Sequence, residues 1–273
     1  MENLEFWKMS GSGNDFILVD NRKGQVPPGR MGNLVRRVCR RRESVGADGV
    51  IFVETSDTHD FKWRFFNADG GEAEMCGNGG RCAARFAFLN GIAGDELTFD
   101  TLAGPVSAVV RGRHVNVRMP RPFGYEADVE LPGPDAPVRC DFINTGVPHA
   151  VMRVEGLESF PVVQNGRWVR NHARFAPAGT NANYIAVMGR NSLSIRTYER
   201  GVEDETLACG TGSIAAALVS AVRGLVDSPV RVKTRGGEEL TIRFKGDAGS
   251  FEEVWMEGST SIVYKARLGE EAL

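Results

Sequence analysis

Residues 72–91 read EAEMCGNGGRCAARFAFLNG, and residues 205–224 read ETLACGTGSIAAALVSAVRG. The second stretch repeats the first at an offset of 133 residues, and nine of the 33 positions from Glu72 to Gly104 carry the same residue in both copies. For a chain this rich in glycine and alanine, chance alone gives about two identities. The period has the size of a domain, so the pattern indicates a duplicated domain and not a solenoid of short repeats.

Each copy has the same predicted order of elements. A Cys-Gly-x-Gly turn opens an Ala-rich helix, predicted over Gly79–Asn90 and Gly212–Arg223, and a glycine follows each helix. Strands are predicted at Phe16–Val19, Val50–Glu54, Phe61–Phe66, Glu96–Thr101 and Val230–Thr234, with a further strand after Gly104 and after Gly237. We therefore expect an α+β fold of two pseudo-symmetric duplicated domains. Each would be a mostly antiparallel sheet wrapped around a central helix, with the active site in the cleft between them.

A stretch rich in turn formers, from Met119 to Pro137, separates the two copies. It predicts an N-terminal half over residues 1–120, joined by the C-terminal segment 263–273. The C-terminal half is predicted over residues 121–262.

Composition and charge exclude several classes of protein. The 273 residues are 42% hydrophobic and 25% charged, as in globular proteins, and the net charge of −2 gives no reason to expect nucleic acid as a partner. The basic run Arg36–Arg42 fits the solvated face of a helix that buries Leu34, Val35 and Val38. The acidic N-terminus lacks the pattern of a signal peptide, and no apolar stretch reaches 18 residues, which predicts a cytoplasmic location without a membrane partner. Five cysteines without zinc-site spacing and four scattered histidines argue against a metal.

The two cysteine turns suit acid/base chemistry. A cysteine just before a helix lies in the positive field of the helix dipole, which favours the thiolate, and the neighbouring glycines expose backbone N–H groups to an anion. One such turn fits a tight helix start with a buried thiol equally well. Two copies in duplicated halves favour a pair of thiols, in which one removes a proton from a carbon and the other returns one to the opposite face.

No cofactor pattern accompanies these turns. The six lysines have no pyridoxal-phosphate setting, and the Gly-rich loops lack the trailing Lys-Ser/Thr of a P-loop. We therefore expect fixed dipoles, and not an electron-sink cofactor, to stabilise the carbanion.

Four blocks carry a family resemblance: residues 66–70 (FNADG), 75–82 (MCGNGGRC), 199–201 (ERG) and 205–212 (ETLACGTG). They resemble the signature blocks of diaminopimelate epimerases, and the likeness extends to residues 8–16 and 179–181. The resemblance covers nearly the whole chain. It implies an isomerase that converts LL-diaminopimelate to the meso form without cofactor, for lysine and peptidoglycan precursors. It also implies a homodimer.

The resemblance also implies residue roles. Cys76 and Cys209 resemble the two acid/base thiols, Glu199 matches the residue that holds the reacting ammonium, and His149 matches a histidine near the reaction centre. The substrate-binding positions implied are Asn14, Asn67, Gly77, Asn78, Asn181, Glu199, Arg200, Gly210 and Thr211. Among these, the backbone N–H groups beside each cysteine would clamp the reacting carboxylate, and Arg200 with Asn67 and Asn181 would bind the distal end. Tyr264 falls at a family dimer contact, and Cys39, Cys82 and Cys140 are expected to be structural or incidental thiols.

At two positions in the distal half of the expected pocket, the sequence differs from the pattern of the family that it resembles. Gly49 stands where some members have glutamine, and Val147 stands where some have asparagine. A related racemase of proline, hydroxyproline or histidine therefore remains an alternative, against which the diacid clamp at Arg200 argues. A non-catalytic amino-acid-binding protein on the same scaffold is the second alternative, against which the presence of both cysteines argues.

Overall fold

The computed structural model describes residues 4–133, 136–247 and 250–272. Two of the sequence predictions draw in part on residues outside this description. These residues are Met1–Asn3 of the acidic N-terminus and Pro134 of the turn-rich stretch. The chain divides into two compact units. The N-terminal unit comprises Met1–Val117 and Gly258–Leu273, and the C-terminal unit comprises Arg118–Glu257.

The first part of the chain contains eight strands and two helices among its described residues. In chain order they are β1 (Glu5–Gly11), β2 (Asn14–Asp20), α1 (Pro28–Val38), β3 (Gly49–Glu54), β4 (Phe61–Asn67), β5 (Glu72–Ala73), α2 (Gly77–Leu89), β6 (Glu96–Thr101), β7 (Gly104–Arg111) and β8 (His114–Met119). The pairs β1–β2, β3–β4, β4–β5, β6–β7 and β7–β8 are antiparallel. The pairs β2–β3 and β4–β6 are parallel. The other edge of β1, the one not paired with β2, pairs antiparallel with the last residues of the final strand of the chain.

The later part of the chain has a matching series of elements. In chain order they are β9 (Phe123–Leu131), β10 (Val138–Asn144), β11 (Pro148–Arg153), α3 (Val162–Arg170), β12 (Asn181–Gly189), β13 (Ser192–Glu199), β14 (Asp204–Thr206), α4 (Gly210–Val222), β15 (Val230–Lys233), β16 (Glu239–Lys245) and β17 (Glu253–Arg267). Short 3₁₀ helices lie at Leu157–Ser159, Ala173–Phe175 and Glu270–Ala272. The pairs β11–β12 and β13–β15 are parallel, and the other pairs in this unit are antiparallel.

The duplication extends well beyond the stretch in which the sequence shows it. At the offset of 133 residues, α2 coincides with α4 and β1 with β10, and the two parallel pairs recur at the same places. Left-handed turn positions recur as well, with Gly13 (φ 85°) matching Gly146 (φ 111°). Outside residues 72–104 the copies share few side chains, because a strand position needs an apolar residue of suitable shape and not one particular residue.

A largely buried helix lies at the centre of each unit. Helix α2 packs against β1, β2, β3 and β7. In α4, all nine residues from Gly212 to Ser220 are buried, and most are Gly, Ala or Ser, which let strands approach the helix from several sides. The predicted α+β class, with mostly antiparallel sheets wrapped on central helices, is therefore confirmed.

Both central helices begin two residues earlier than the sequence predicted. Each cysteine is the N-cap with extended backbone angles, so the following glycine is the first helical residue. The predicted starts at Gly79 and Gly212 left the first glycine of each Cys-Gly-x-Gly turn outside the helix, and glycine is a poor helix former. That preference is weak, and the burial of the helix overrides it.

The outer helices show one confirmed prediction and one omission. Helix α1 buries Met31, Leu34, Val35 and Val38 and leaves its arginines exposed, as predicted for the basic run. Helix α3 was not predicted, because Asn165 and Gly166 in its middle are poor helix formers. The turn-rich stretch contains β9, and the unit boundary falls near its start, at Val117/Arg118. Among the described residues, no helix is both long and apolar enough to span a membrane.

Candidate active site

Cys76 is the N-cap of α2. Its thiol accepts a hydrogen bond from the backbone N–H of Gly79 at 3.4 Å, and the first bond inside the helix runs from the N–H of Gly80 to the carbonyl of Cys76 at 2.7 Å. The N–H groups of Gly77 and Asn78 precede that first bond, so they point out of the helix end, where an anion is stabilised. A Cβ on Gly79 would lie 3.6 Å from the thiol sulfur and 3.2 Å from Ile51, which keeps this position small.

A directed chain of hydrogen bonds fixes the polar side chains around this turn. Arg81 is fully buried and donates to Asn78 Oδ1 at 2.8 Å and to Ser12. Asn78 Nδ2 then donates to Asn14 Oδ1 at 2.7 Å, and Asn14 Nδ2 donates to Asp48 Oδ2 at 3.0 Å. Because an arginine can only donate and a carboxylate can only accept, both asparagine amides are held in one orientation.

Asn67 lies at the exposed end of β4, where it pairs with Gly49 on β3. A Cβ on Gly49 would lie 2.5 Å from the Phe66 carbonyl oxygen and 2.7 Å from the Phe65 ring. The position where some family members have glutamine therefore has no room for a side chain in this packing. The departure at Gly49 is accommodated by the Phe65 ring beside it.

Cys209 is the N-cap of α4 and is 7% exposed. Its sulfur lies 3.6 Å from Thr211 Oγ1, and the first helical bond runs from the Ser213 N–H to the Cys209 carbonyl at 2.9 Å. The N–H groups of Gly210 and Thr211 precede that bond, as at the first turn. Thr145 donates its hydroxyl to the Thr211 carbonyl at 3.0 Å and so anchors the turn.

Asn181 joins the predicted distal residues in the C-terminal unit. Its Oδ1 accepts the backbone N–H of Arg200 at 2.9 Å, and its Nδ2 donates to the Pro148 carbonyl at 2.9 Å. The Arg200 guanidinium donates to the Ala178 carbonyl at 3.0 Å. Asn181 also pairs with His149 in the parallel register of β11 and β12. Predicted residues from three separate segments therefore come together here.

Glu199 ends β13, partly buried, and accepts the Thr206 hydroxyl at 2.9 Å. Burial raises the pKa of its carboxyl above the ordinary value, and the Thr206 hydrogen bond opposes that shift. An ammonium group would find in Glu199 a partly desolvated carboxylate, where ionic attraction is stronger than in water.

His149 is fully buried on β11. Burial, aided by the positive charge of Arg200 and opposed by the hydrogen bond with Asn183, lowers its pKa from the ordinary 6.5 to about 3. The imidazole is therefore neutral at physiological pH. Its Nδ1 lies 3.1 Å from Asn183 Nδ2.

The remaining cysteines lie in different surroundings. Burial raises the pKa of Cys39 and of Cys140 to about 12, so both are protonated and unreactive at neutral pH. Cys82 is buried on α2. These environments suit the structural role expected for the three thiols.

Tyr264 lies on β17 opposite Lys8 of β1, and its ring is in edge contact with Phe6 at 6.0 Å between centroids. It is 41% exposed, and its neighbour Val263 is 56% exposed. Both residues are therefore exposed apolar positions on the N-terminal unit.

Five residues at the site were not predicted from the sequence: Asp48, Arg81, Thr206, Asn183 and Thr197, whose hydroxyl donates to Asn183. A usable signal existed for Asn183, which follows Asn181 by two residues and so points to the same face of a strand. Asp48 lies far along the chain from its partner Asn14, and nothing in the sequence pairs the two. Thr206 lies only seven residues after its partner Glu199, but their contact depends on the pairing of β13 with β14.

Comparison with solved structures defines the class of fold. A phenazine biosynthesis protein of the PhzF family from Bacillus anthracis matches with a TM-score of 0.75 and 16% identity, over 98% of this chain and 99% of that chain. A probable proline racemase from Agrobacterium radiobacter K84 matches with a TM-score of 0.72 and 17% identity, over 98% and 93%. At such identities the likeness concerns the fold alone, a duplicated α+β architecture.

Sequence comparison gives the family. The family model described as diaminopimelate epimerase matches residues 6–122 and 142–263. The diaminopimelate epimerase of Aquifex aeolicus is 47% identical over 99% of both chains, and that of a Hydrogenobaculum species is 42% identical over 97% of this chain and 98% of its own. The chain belongs to the diaminopimelate epimerase family.

Proposed function

We propose that this chain is an isomerase that interconverts LL- and meso-diaminopimelate, with Cys76 and Cys209 as the acid/base pair. The observation that carries the proposal is the equivalence of the two thiols. Each is the N-cap of a 13-residue central helix behind a Cys-Gly-x-Gly turn, at the same place in the duplicated architecture. Inversion at a carbon needs one group that removes a proton and a second group that returns one to the opposite face, and two equivalent thiols can take either role.

The proposed reaction must overcome the weak acidity of the α-carbon. An unperturbed thiol has a pKa of roughly 8.5, many units below that of the α-carbon proton, and each unit adds about 1.4 kcal/mol to the barrier. The backbone N–H groups at the two helix starts would bind the substrate carboxylate and stabilise the charge that develops on it. Glu199 would hold the α-ammonium.

The protons balance without any external reagent. In one direction one thiolate takes the α-proton and becomes a thiol, while the opposite thiol gives its proton to the other face and becomes a thiolate. The enzyme then carries the reverse protonation pattern, which serves the reverse reaction directly. Exchange with solvent restores the first pattern, so a solvent proton enters the product.

The residues that the family resemblance assigns to the distal end of the substrate support a diacid. Asn181 orients Arg200 through its backbone, and a guanidinium can bind a carboxylate through two parallel hydrogen bonds. A racemase of proline or histidine has no second carboxylate for such a group. The names of the relatives at 42–47% identity support the same substrate.

The test is incubation of the purified chain with LL-diaminopimelate in deuterated water, without added pyridoxal phosphate or metal. We expect meso-diaminopimelate to form with deuterium at the α-carbon, measured by mass spectrometry and chiral chromatography. Exchange of proline or histidine but not of diaminopimelate would assign the chain to the related racemases instead. Loss of activity with a chelator would contradict the cofactor-free mechanism.

We further propose that the chain forms a homodimer that buries Val263 and Tyr264. We also propose that the enzyme acts in the cytoplasm, where its product serves lysine and peptidoglycan synthesis. Support comes from the exposed apolar character of these two β17 side chains and from the family resemblance at Tyr264. Sedimentation of the wild-type chain and of Tyr264→Arg measures the assembly, and a monomeric wild type would contradict it.

A further inference from the structure

Asn183 occupies a fully buried position on β12, beside His149. Its Nδ2 donates to the Ala150 carbonyl at 3.0 Å, and its Oδ1 accepts the Thr197 hydroxyl at 3.0 Å. A carbonyl oxygen can only accept, so the Ala150 contact fixes which end of the amide carries the hydrogens. Thr197, on the neighbouring strand β13, fixes the other end.

The orientation of Asn183 determines the tautomer of His149. The second hydrogen on Asn183 Nδ2 points at His149 Nδ1, 3.1 Å away, so Nδ1 must accept and carries no proton. The neutral imidazole therefore carries its proton on Nε2. Among the described residues, this buried Nε2 has no hydrogen-bond partner. An unsatisfied buried donor costs free energy until an acceptor arrives.

Asn183, which holds His149, lies against the Cys209 turn. A Cβ placed on Gly212 would be 2.4 Å from Asn183 Oδ1 and 3.2 Å from Cys209 Sγ, so Asn183 packs directly on the turn that holds the thiol. The turn concentrates positive dipole and collects negative charge, either the Cys209 thiolate or a carboxylate bound there.

We propose that Asn183 is a positioning residue which, with Thr197, holds His149 as a permanent Nε2–H donor to the negative charge at the Cys209 turn. In this role His149 exchanges no proton during turnover: its Nδ1 is occupied by Asn183, and its Nε2 already carries hydrogen. The inference deepens the proposed function and rests on it. The lowered pKa of His149, which keeps the ring neutral, agrees with this arrangement.

The tautomer can be measured directly. The chain has four histidines, so ¹⁵N-histidine labelling gives a simple spectrum, and His149→Gln assigns the signal of this ring. We expect His149 to be neutral and protonated on Nε2 in the wild type. Asn183→Asp removes the donor and supplies an acceptor, so Nδ1 should become protonated in that variant. A wild-type ring protonated on Nδ1, or an unchanged pattern in Asn183→Asp, would overturn the inference.

The NMR chemical shift of the His149 Nε2–H proton identifies the group that accepts its hydrogen bond. A downfield shift in the free enzyme that disappears in Cys209→Ala identifies the thiolate as acceptor. A shift that appears only with saturating diaminopimelate identifies the carboxylate. Either result supports the proposal, and absence of any shift in both states contradicts it.

A matched pair of variants separates a donor from an acid/base. The side-chain amide of His149→Gln can place an N–H near the Nε2 position, whereas the shorter His149→Asn reaches only the Nδ1 position. We expect kcat/KM within about 10-fold of wild type for Gln, and a loss on the order of 10²-fold for Asn, the scale for one preorganised donor. Equal losses in both would show proton transfer by His149. An inactive wild type would instead contradict the proposed function, while the tautomer measurement would still stand.

Discussion

At the scale of single residues, the candidate site is held by side chains whose hydrogen bonds have one direction. In the N-terminal unit, the chain from Arg81 through Asn78 and Asn14 ends on the Asp48 carboxylate. In the C-terminal unit, Asn183 is fixed from both ends. Such networks keep polar groups in place before substrate binds, so little reorganisation is needed during the reaction.

Arg200→Lys tests the distal clamp. Lysine keeps the charge but loses the planar fork that binds a carboxylate at two points, so kcat/KM for diaminopimelate should fall at least ~10-fold, the scale of one lost charge-assisted hydrogen bond. Most of the loss should appear in KM, with some in kcat if the substrate is misplaced. Steady-state kinetics measures both. Wild-type kcat/KM in this variant would remove Arg200 from the clamp.

The buried neutral His149 makes the fold sensitive to acid. Its folded pKa of about 3 lies below the ordinary 6.5, so at intermediate pH the unfolded chain binds a proton that the folded chain does not. The contribution of His149 to stability is therefore complete above pH 6.5 and declines as pH falls towards 3. Between pH 7 and pH 5 the free energy of unfolding should fall by about 2 kcal/mol from this side chain.

Urea unfolding of wild type and of His149→Gln at the two pH values measures this contribution as a difference. Glu199, whose pKa is raised by burial, has the opposite pH dependence, but it is present in both proteins and cancels. If the two proteins show the same pH dependence, His149 is not buried in its neutral form.

The sequence predicted those residues whose role follows from local pattern. Cys76 and Cys209 were found because both precede an Ala-rich helix and recur at one offset. Thr197 was not, because its importance comes from burial and from its partner Asn183 on the neighbouring strand. Such contacts depend on how the strands pair, which single residues do not encode.

At the scale of elements, the two central helices determine where the thiols and the N–H groups point. Each is 13 residues long and is capped by its cysteine, so the thiol and the first N–H groups share one helix end. The second glycine of each turn lets the cysteine side chain fold back over the helix start. That requirement is strict at Gly212, where a Cβ would clash with Asn183 Oδ1.

Gly212→Ala should therefore destabilise the fold and impair activity together. The added methyl group must displace an amide that His149, Ala150 and Thr197 hold, which should cost about 1–3 kcal/mol, as overpacking usually does. Gly80→Ala is the control, because a Cβ there meets Phe99 and Met75 at ordinary distances of 3.6 and 3.7 Å. The control should be neutral or more stable by up to about 1 kcal/mol. Thermal unfolding and activity assays compare the two, and equal stabilities would contradict the packing argument.

Element boundaries were predictable where the spacing of apolar residues and the flanking turn residues agree. The strand predicted at Glu96–Thr101 matches β6 at both ends, because a turn glycine bounds it. Helix α3 and strand β9 were missed, because glycine and turn-forming residues mask them locally and their stability comes from packing. Val169 of α3, for example, is buried in a cluster with Tyr184 and Tyr198, a contact that no local pattern reveals.

At the scale of the whole molecule, the chain is a duplicated unit in which the two copies have diverged around one constant feature. The pairing order of the strands recurs, whereas the polar residues near the two turns differ: Asn14 and Asp48 in one copy, His149 and Asn183 in the other. The constant feature is the helix-capping cysteine. In the proposed function the acid/base role is common to both copies, while the polar surroundings of the two thiols differ.

The stereochemistry of elimination in the two serine variants tests this account most directly. Elimination from a β-halogenated diaminopimelate analogue needs proton removal from one face only. A serine hydroxyl is a far weaker acid than a thiol, so Cys76→Ser and Cys209→Ser should each epimerise diaminopimelate at least ~100-fold more slowly than wild type. Each should still eliminate halide from one stereoisomer of the analogue, and the two variants should prefer opposite isomers. If both variants lose elimination with the same isomer, one cysteine is the base for both directions, and the assignment of the thiols to opposite faces is wrong.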